Sequence, residues 1–272
     1  RENIDREIED YVAAHAETTT GMAVSVFDRS TVIYRNYFGF SDVEKGISVD
    51  ENTVFEWGSA TKILVWVSVM QLVEQGKLEL EADLRQYLPE GFLRNLTFDA
   101  PVTMLNLMNH DAGFEETLVG MFTHREDRIL SLEDYLVRVQ PRQVFAPGTV
   151  TAYSNWGVIL AGYLVERISG MPFYEYAQTN IFAPLGMEHS ALNADLSDNP
   201  WVKEQRAQLQ CYTTEAVLIP NCMVYFSMYP AGTCTSTLKD FETFGKALLN
   251  RESPLFQDPA TYDSFLEPTA YF

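Results

Sequence analysis

The sequence predicts an α/β chain of the α+β kind, in which a layer of strands carries a large inserted helical region. Two β-rich runs near the N-terminus are joined by a short polar link, and a series of helical stretches with broad apolar faces follows them. No internal repeat or flexible linker separates the two kinds of segment, so a single intimate unit suits the pattern better than beads on a string. With 272 residues, 46% hydrophobic and 21% charged, the chain is long enough to bury a substantial core and has ordinary globular usage.

The elements follow in order. Residues 3–14 read as an amphipathic helix, because Ile4, Ile8, Tyr11 and Val12 recur at helical spacing. Residues 22–27 and 31–38 are β-rich, and Asp28-Arg29-Ser30 between them is short and polar, as a hairpin link should be. A turn-rich stretch runs to Glu56. Lys62 to Gln75 then reads as a central, mostly buried helix, since Ile63, Leu64, Val67, Met70 and Val73 fill more than one face before Gly76. A short helix is expected over 103–109 and another over 131–139, opened by Ser131 and Asp134 in a capping-box arrangement. Pro147-Gly148 makes a turn before an extended piece ending at Tyr153. Beyond it, 156–168 carries an apolar stripe closed by Gly170, and 173–181 adds one more helix. The stretch 190–235 reads as irregular, with strands near 209–219 and 222–228, and 237–249 as the final clear helix.

Charge narrows the partners. Nineteen Lys and Arg against 38 Asp and Glu give a net charge of −19, which repels nucleic acid and anionic membrane surfaces at long range. The longest apolar stretch, around Ile63–Met70, falls far short of the ~20 residues needed to cross a bilayer, and the first residues show no signal-peptide core. Cys211, Cys222 and Cys234 form no CxxC and lie near none of His15, His110, His124 or His189 at metal-ligand spacing, so neither a metal nor a cofactor is expected. Three buried thiols are favoured over a Cys211–Cys222 bridge with Cys234 left free.

What remains for chemistry is a serine and a lysine. Ser59-Ala60-Thr61-Lys62 places an SxxK at the mouth of the central helix, where residues three apart share a face and an amine can reach a hydroxyl. A serine hydroxyl needs a proton acceptor within hydrogen-bond reach, and burial together with the positive end of a helix favours the neutral amine. The backbone N–H of Ser59 could also donate to a developing oxyanion. SxxK is loose, however, and Ser236-Thr-Leu-Lys239 is a second copy, for which N-capping by Ser236 or Thr237 with Asp240 is explanation enough. Tyr153-Ser154-Asn155, after a turn and before a helix, can aim a phenol and an amide into a cleft; Tyr34-Arg35-Asn36 has the same form but is explained by strand alternation.

Taken in order, Phe55-Glu-Trp-Gly-Ser-Ala-Thr-Lys62, Leu107-Met-Asn-His-Asp-Ala-Gly-Phe114, Pro147-Gly-Thr-Val-Thr-Ala-Tyr-Ser-Asn-Trp-Gly157, Pro184-Leu-Gly-Met187 and Pro230-Ala-Gly232 resemble the serine β-lactamase-like family. That family joins class C β-lactamases, D-Ala-D-Ala carboxypeptidases and related esterases. The likeness runs from about residue 4 to the end of the chain. It implies the β-lactamase/transpeptidase fold, an antiparallel sheet flanked by helices. It also implies Ser59 as the acylated nucleophile, Lys62 as its general-base partner, Tyr153 as a second acid/base and Asn155 as a donor to the substrate amide. His110 and Gly113 match a family loop that looks structural. The implied substrate is a small molecule or peptide with an amide, lactam or ester carbonyl, and the implied setting is extracytoplasmic, in the periplasm or at the surface of a bacterium.

On this resemblance residues 1–58 form the N-terminal helix and strands of the layer, 59–235 the helical region with SxxK and YSN, and 236–272 a helix returning toward the sheet. One part of the pattern is not matched. The family's third motif, KTG or HxG, occurs nowhere in the sequence, and His189-Ser-Ala191 lacks its glycine. The expectation is therefore that further strands lie past Phe272, that a second oxyanion donor lies with them, and that the sheet edge left open can pair with another chain. The competing reading is a catalytically silent binding or regulatory domain of the same fold.

Overall fold

The computed structural model describes residues 2–270; Arg1, Tyr271 and Phe272, and hence the expected continuation past Phe272, lie outside the described residues. The helix Glu2–Ala14 leads into an antiparallel hairpin, Gly21–Phe27 with Val32–Asp42, in register from Gly21 opposite Gly39 to Val26 opposite Tyr34 and shifted by one residue at Phe27 opposite Val32. The polar link is fastened by Asp28, whose carboxylate accepts the N–H groups of Ser30 and Thr31, each at 2.7 Å. Ile47–Ser48 adds a third strand to this sheet. A second antiparallel sheet has Thr235–Thr237 at its centre, between Val54–Glu56 and Ser190–Ala191. These strands have two or three residues each, too few for alternation to show in the sequence.

The helix Leu238–Leu249 lies against the hairpin so closely that a Cβ on Gly245 would stand 2.5 Å from the Phe27 ring. The core proper is helical. Lys62–Glu74 buries Leu64, Val65, Val67, Val69, Met70 and Leu72, which face all round it, as befits a helix covered on every side. It packs on Asn155–Ser169, whose Trp156, Ile159, Leu160 and Leu164 are fully buried, each such side chain contributing roughly 1.5–3 kcal/mol of burial free energy. That second helix ends where expected, on Gly170 at φ +73°. The short helices Met104–Met108 and Leu132–Arg138 are capped by Thr103 and Ser131. Among the described residues no helix is long and apolar enough to cross a membrane.

Four expectations are corrected. The stretch 190–235 is not irregular throughout, because Pro200–Ala207 is a helix capped by Asn199. Leu238–Leu249 is not the last helix, since Asp258 caps Pro259–Leu266, which buries Tyr262. The helix expected over 173–181 is Phe173–Ala177, which widens through a π-turn at Gln178–Phe182 into Ala183–Leu185. Finally, Cys211 and Cys222 form a disulfide and only Cys234 is a buried free thiol. Pairing of Cys211–Tyr212 with Leu218–Ile219 folds this segment back on itself and brings the two cysteine Cα atoms to 6.1 Å, within bridging range.

Candidate active site

Ser59 sits in a single 3₁₀ turn, Gly58–Thr61, that runs without a break into the central helix at Lys62. The helical path from 59 to 62 stacks the two side chains, and Lys62 Nζ donates to Ser59 Oγ at 3.0 Å. Ser59 is exposed whereas Lys62 is buried, so the serine lies at the surface and the amine stands behind it. From the other wall, Tyr153 donates its phenolic O–H to the same Ser59 Oγ at 2.8 Å. Lys62 Nζ lies 4.9 Å from the centre of the Tyr153 ring. Three of the sequence-selected residues thus meet at one oxygen.

Lys62 has a second partner, the carbonyl of Ala231 at 2.7 Å. The segment that supplies it is tied to the serine turn by the Trp57 N–H on the Cys234 carbonyl (2.7 Å) and the Cys234 N–H on the buried Thr61 hydroxyl (3.1 Å). It can approach the core because residue 162 is glycine: a Cβ there would stand 3.1 Å from the Pro230 ring. Pro230-Ala-Gly232 stood out in the sequence, but a backbone acceptor leaves no side-chain signal of its own.

Tyr153 is placed by the loop that begins at His110. The His110 carbonyl accepts the Ala152 N–H (2.7 Å), the Asp111 carbonyl accepts that of Gly148 (2.8 Å), and the Gly113 carbonyl accepts those of Val144 and Phe145. Gly113 is required here, with φ at +84° and a Cβ position 1.9 Å from the Phe145 carbonyl oxygen. The His110 ring lies tilted at 33° and 4.6 Å from that of Tyr153, and its Nδ1 accepts the Ser154 N–H at 3.2 Å, which fixes the neutral ring as the tautomer protonated on Nε2. Burial, and then the charge of Lys62, lower its pKa from the ordinary value of 6.5, with Asp111 opposing.

Asn155 begins the helix after Tyr153 and is half-buried, but its carboxamide is already engaged. Asn155 N and Nδ2 both donate to Glu116 Oε2, at 2.8 and 3.1 Å. Sequence reasoning missed Glu116, which lies far from Asn155 in sequence on an unpatterned loop.

The fold is that of the β-lactamase/transpeptidase class, with the serine turn, the central helix and the tyrosine loop converging between sheet and helices. Residues 4–270 match the family model described as Beta-lactamase, and the chain belongs to that family. It is 31% identical over 173 residues to a β-lactamase of Pseudomonas fluorescens, covering 64% of this chain and 46% of that protein. It is 30% identical over 179 residues to the esterase EstB of Burkholderia gladioli, covering 61% and 45%. Among solved structures, a D-alanine carboxypeptidase AmpC of Burkholderia cenocepacia superposes with a TM-score of 0.71 at 24% identity, over 97% of this chain and 68% of that one. The chain spans about half the length of the curated relatives it matches.

Proposed function

We propose that the protein is a serine hydrolase working through an acyl-enzyme on Ser59, with a β-lactam, a D-alanyl peptide or a small ester as substrate. The observation that carries this reading is the double hydrogen bond at Ser59 Oγ, from Lys62 Nζ at 3.0 Å and from Tyr153 at 2.8 Å. A hydroxyl flanked by two proton-exchanging groups is what nucleophilic attack at neutral pH requires. Names among its relatives, a β-lactamase and an esterase, agree with acyl transfer and leave the acyl group open.

In the proposed cycle one member of the Lys62–Tyr153 pair acts in its deprotonated form and accepts the Ser59 proton as Oγ bonds to the carbonyl carbon. The Ser59 N–H stabilises the oxyanion. Collapse breaks the bond to the leaving nitrogen or oxygen, which takes the proton back from the pair. A water then repeats the sequence on the acyl-enzyme, releasing the acid and restoring Ser59. Asn155 positions the substrate. An extracytoplasmic site of action is supported by the Cys211–Cys222 disulfide, which persists in oxidising surroundings.

The test is turnover of a chromogenic β-lactam, a D-alanyl-D-alanine peptide and an activated ester by the protein and by Ser59→Ala and Tyr153→Phe. The reading expects hydrolysis of at least one class, abolished by Ser59→Ala and slowed by Tyr153→Phe. If hydrolysis is absent for all three, or survives Ser59→Ala, the reading is wrong and the binding-domain alternative gains.

A further inference from the structure

Glu116 changes what the wall of the cleft beside Ser59 can recognise. Its Oε2 takes two N–H groups of Asn155, and its Oε1 takes the N–H of Thr117 at 2.9 Å. All three partners are neutral. Among the described residues Glu116 makes no ion pair, and its carboxylate is exposed. The orientation of the Asn155 carboxamide follows from chemistry: turned over, it would set Oδ1 against a carboxylate oxygen, acceptor against acceptor. One Nδ2 N–H is given to Glu116, and Asn155 Oδ1 is left without a hydrogen bond from any described residue. Asn155 lies two residues past Tyr153, whose hydroxyl touches Ser59, so this acceptor and this charge are held at the same turn into the helix that carries a Ser59 partner. Of the cleft residues described above, only Lys62 is cationic, and it is buried behind the serine.

We infer that Glu116 determines specificity, selecting acyl donors that carry an ammonium or other N–H donor on the acyl side and rejecting those that carry a carboxylate. This rests on the acyl-enzyme reading and deepens it by naming a substrate class, aminoacyl esters or amides. Beside that charge Asn155 keeps one Nδ2 N–H and offers Oδ1, so an acyl-side N–H donor finds an acceptor next to the Glu116 carboxylate. Net negative charge over the molecule acts in the same direction, but only Glu116 localises the preference at the cleft.

The experiment compares three thioesters with one leaving group, alanyl, propionyl and succinyl, at pH 6.5, where the alanyl amine is protonated. The enzymes are the wild type and Glu116→Gln, which keeps an acceptor oxygen for Asn155 while removing the charge. Intrinsic reactivity cancels in the change of each ratio between enzymes. The alanyl-to-propionyl ratio of kcat/KM should fall about tenfold in Glu116→Gln, and the succinyl-to-propionyl ratio should rise severalfold. Independently of any variant, the wild-type alanyl preference should weaken as salt is raised, because the charge is exposed. Ratios that do not change between the enzymes, or an alanyl preference indifferent to salt, overturn the inference and leave the acyl-enzyme reading standing. Absence of any acyl adduct on Ser59 with all three thioesters overturns both.

Discussion

The chain contains the same four-residue spacing twice, and the two copies fold differently. In Ser59–Lys62 the backbone is helical from the serine onward, so three residues carry the amine once round and back over the hydroxyl. In Ser236–Lys239 the serine lies within a strand, Thr237 ends it with extended backbone at φ −69° and ψ 159°, and only then does the helix begin. Lys239 is exposed, and the Ser236 hydroxyl instead accepts the Trp57 indole N–H at 2.7 Å and donates to the Thr237 carbonyl. Thr237, not Ser236, caps the helix by accepting the Asp240 N–H. Spacing alone therefore does not bring an amine to a hydroxyl; the backbone between the two residues does. The second copy still serves the first, since Trp57 stands two residues before Ser59.

The comparison can be broken most severely at the lysines. Lys62→Met should slow acylation by an activated ester on the order of 10³-fold, the scale of a lost acid/base group, while Lys239→Met stays within about twofold of wild type. Equal effects at the two lysines would erase the distinction. Next in size is Gly113→Ala, which forces a Cβ against the Phe145 carbonyl at a positive φ. Chemical denaturation should show a loss of about 2 kcal/mol or more, and any folded fraction should acylate slowly because the Tyr153 loop has shifted.

A third effect depends on pH. The folded-state pKa of His110 is depressed below 6.5, so as pH falls through 6.5 the unfolded chain binds this proton before the folded one does. The stabilisation is complete above 6.5 and is lost below it. Protonation would also set an N–H against the Ser154 N–H. His110→Asn, whose carbonyl can replace Nδ1 and whose side chain tolerates the φ of +55°, should retain the neutral-pH rate and lose this part of the acid sensitivity in both unfolding and turnover. An unchanged acid limb in His110→Asn would remove His110 from the account. The smallest effect is expected at Ser236→Ala, which leaves the Trp57 indole N–H without its acceptor and should cost about 1 kcal/mol of stability with little change in rate.

Much of this was legible beforehand, for reasons that differ by element. The hairpin, the central helix and Asn155–Ser169 announce themselves through periodicity and through Gly170, because burial on a face imposes a spacing on the residues. The helices Pro200–Ala207 and Pro259–Leu266 carried a local signal, Asn or Asp followed by proline at the first helical position, but their apolar stripes are too short to confirm it. The pair Ser59 and Lys62 follows from helical geometry. That Tyr153 reaches the same oxygen, 94 residues away in sequence, came from resemblance and not from any local pattern. The Ala231 carbonyl and the Glu116 clasp on Asn155 are tertiary facts, made by a backbone atom in one case and an exposed loop carboxylate in the other. The disulfide was the less favoured of two readings because a short strand pair, invisible to alternation, is what brings its ends together.

The central claim is that a buried amine and a phenol from a distant loop make one serine nucleophilic. Its most direct test is to label the protein with an activated acyl donor, quench, digest and map the modified residue by mass spectrometry. The account predicts a label on the peptide containing Ser59 and none on the peptide containing Ser236, with the Ser59 label lost in Lys62→Met. A label distributed over both serines, or a Ser59 label formed just as fast without the Lys62 amine, would contradict it.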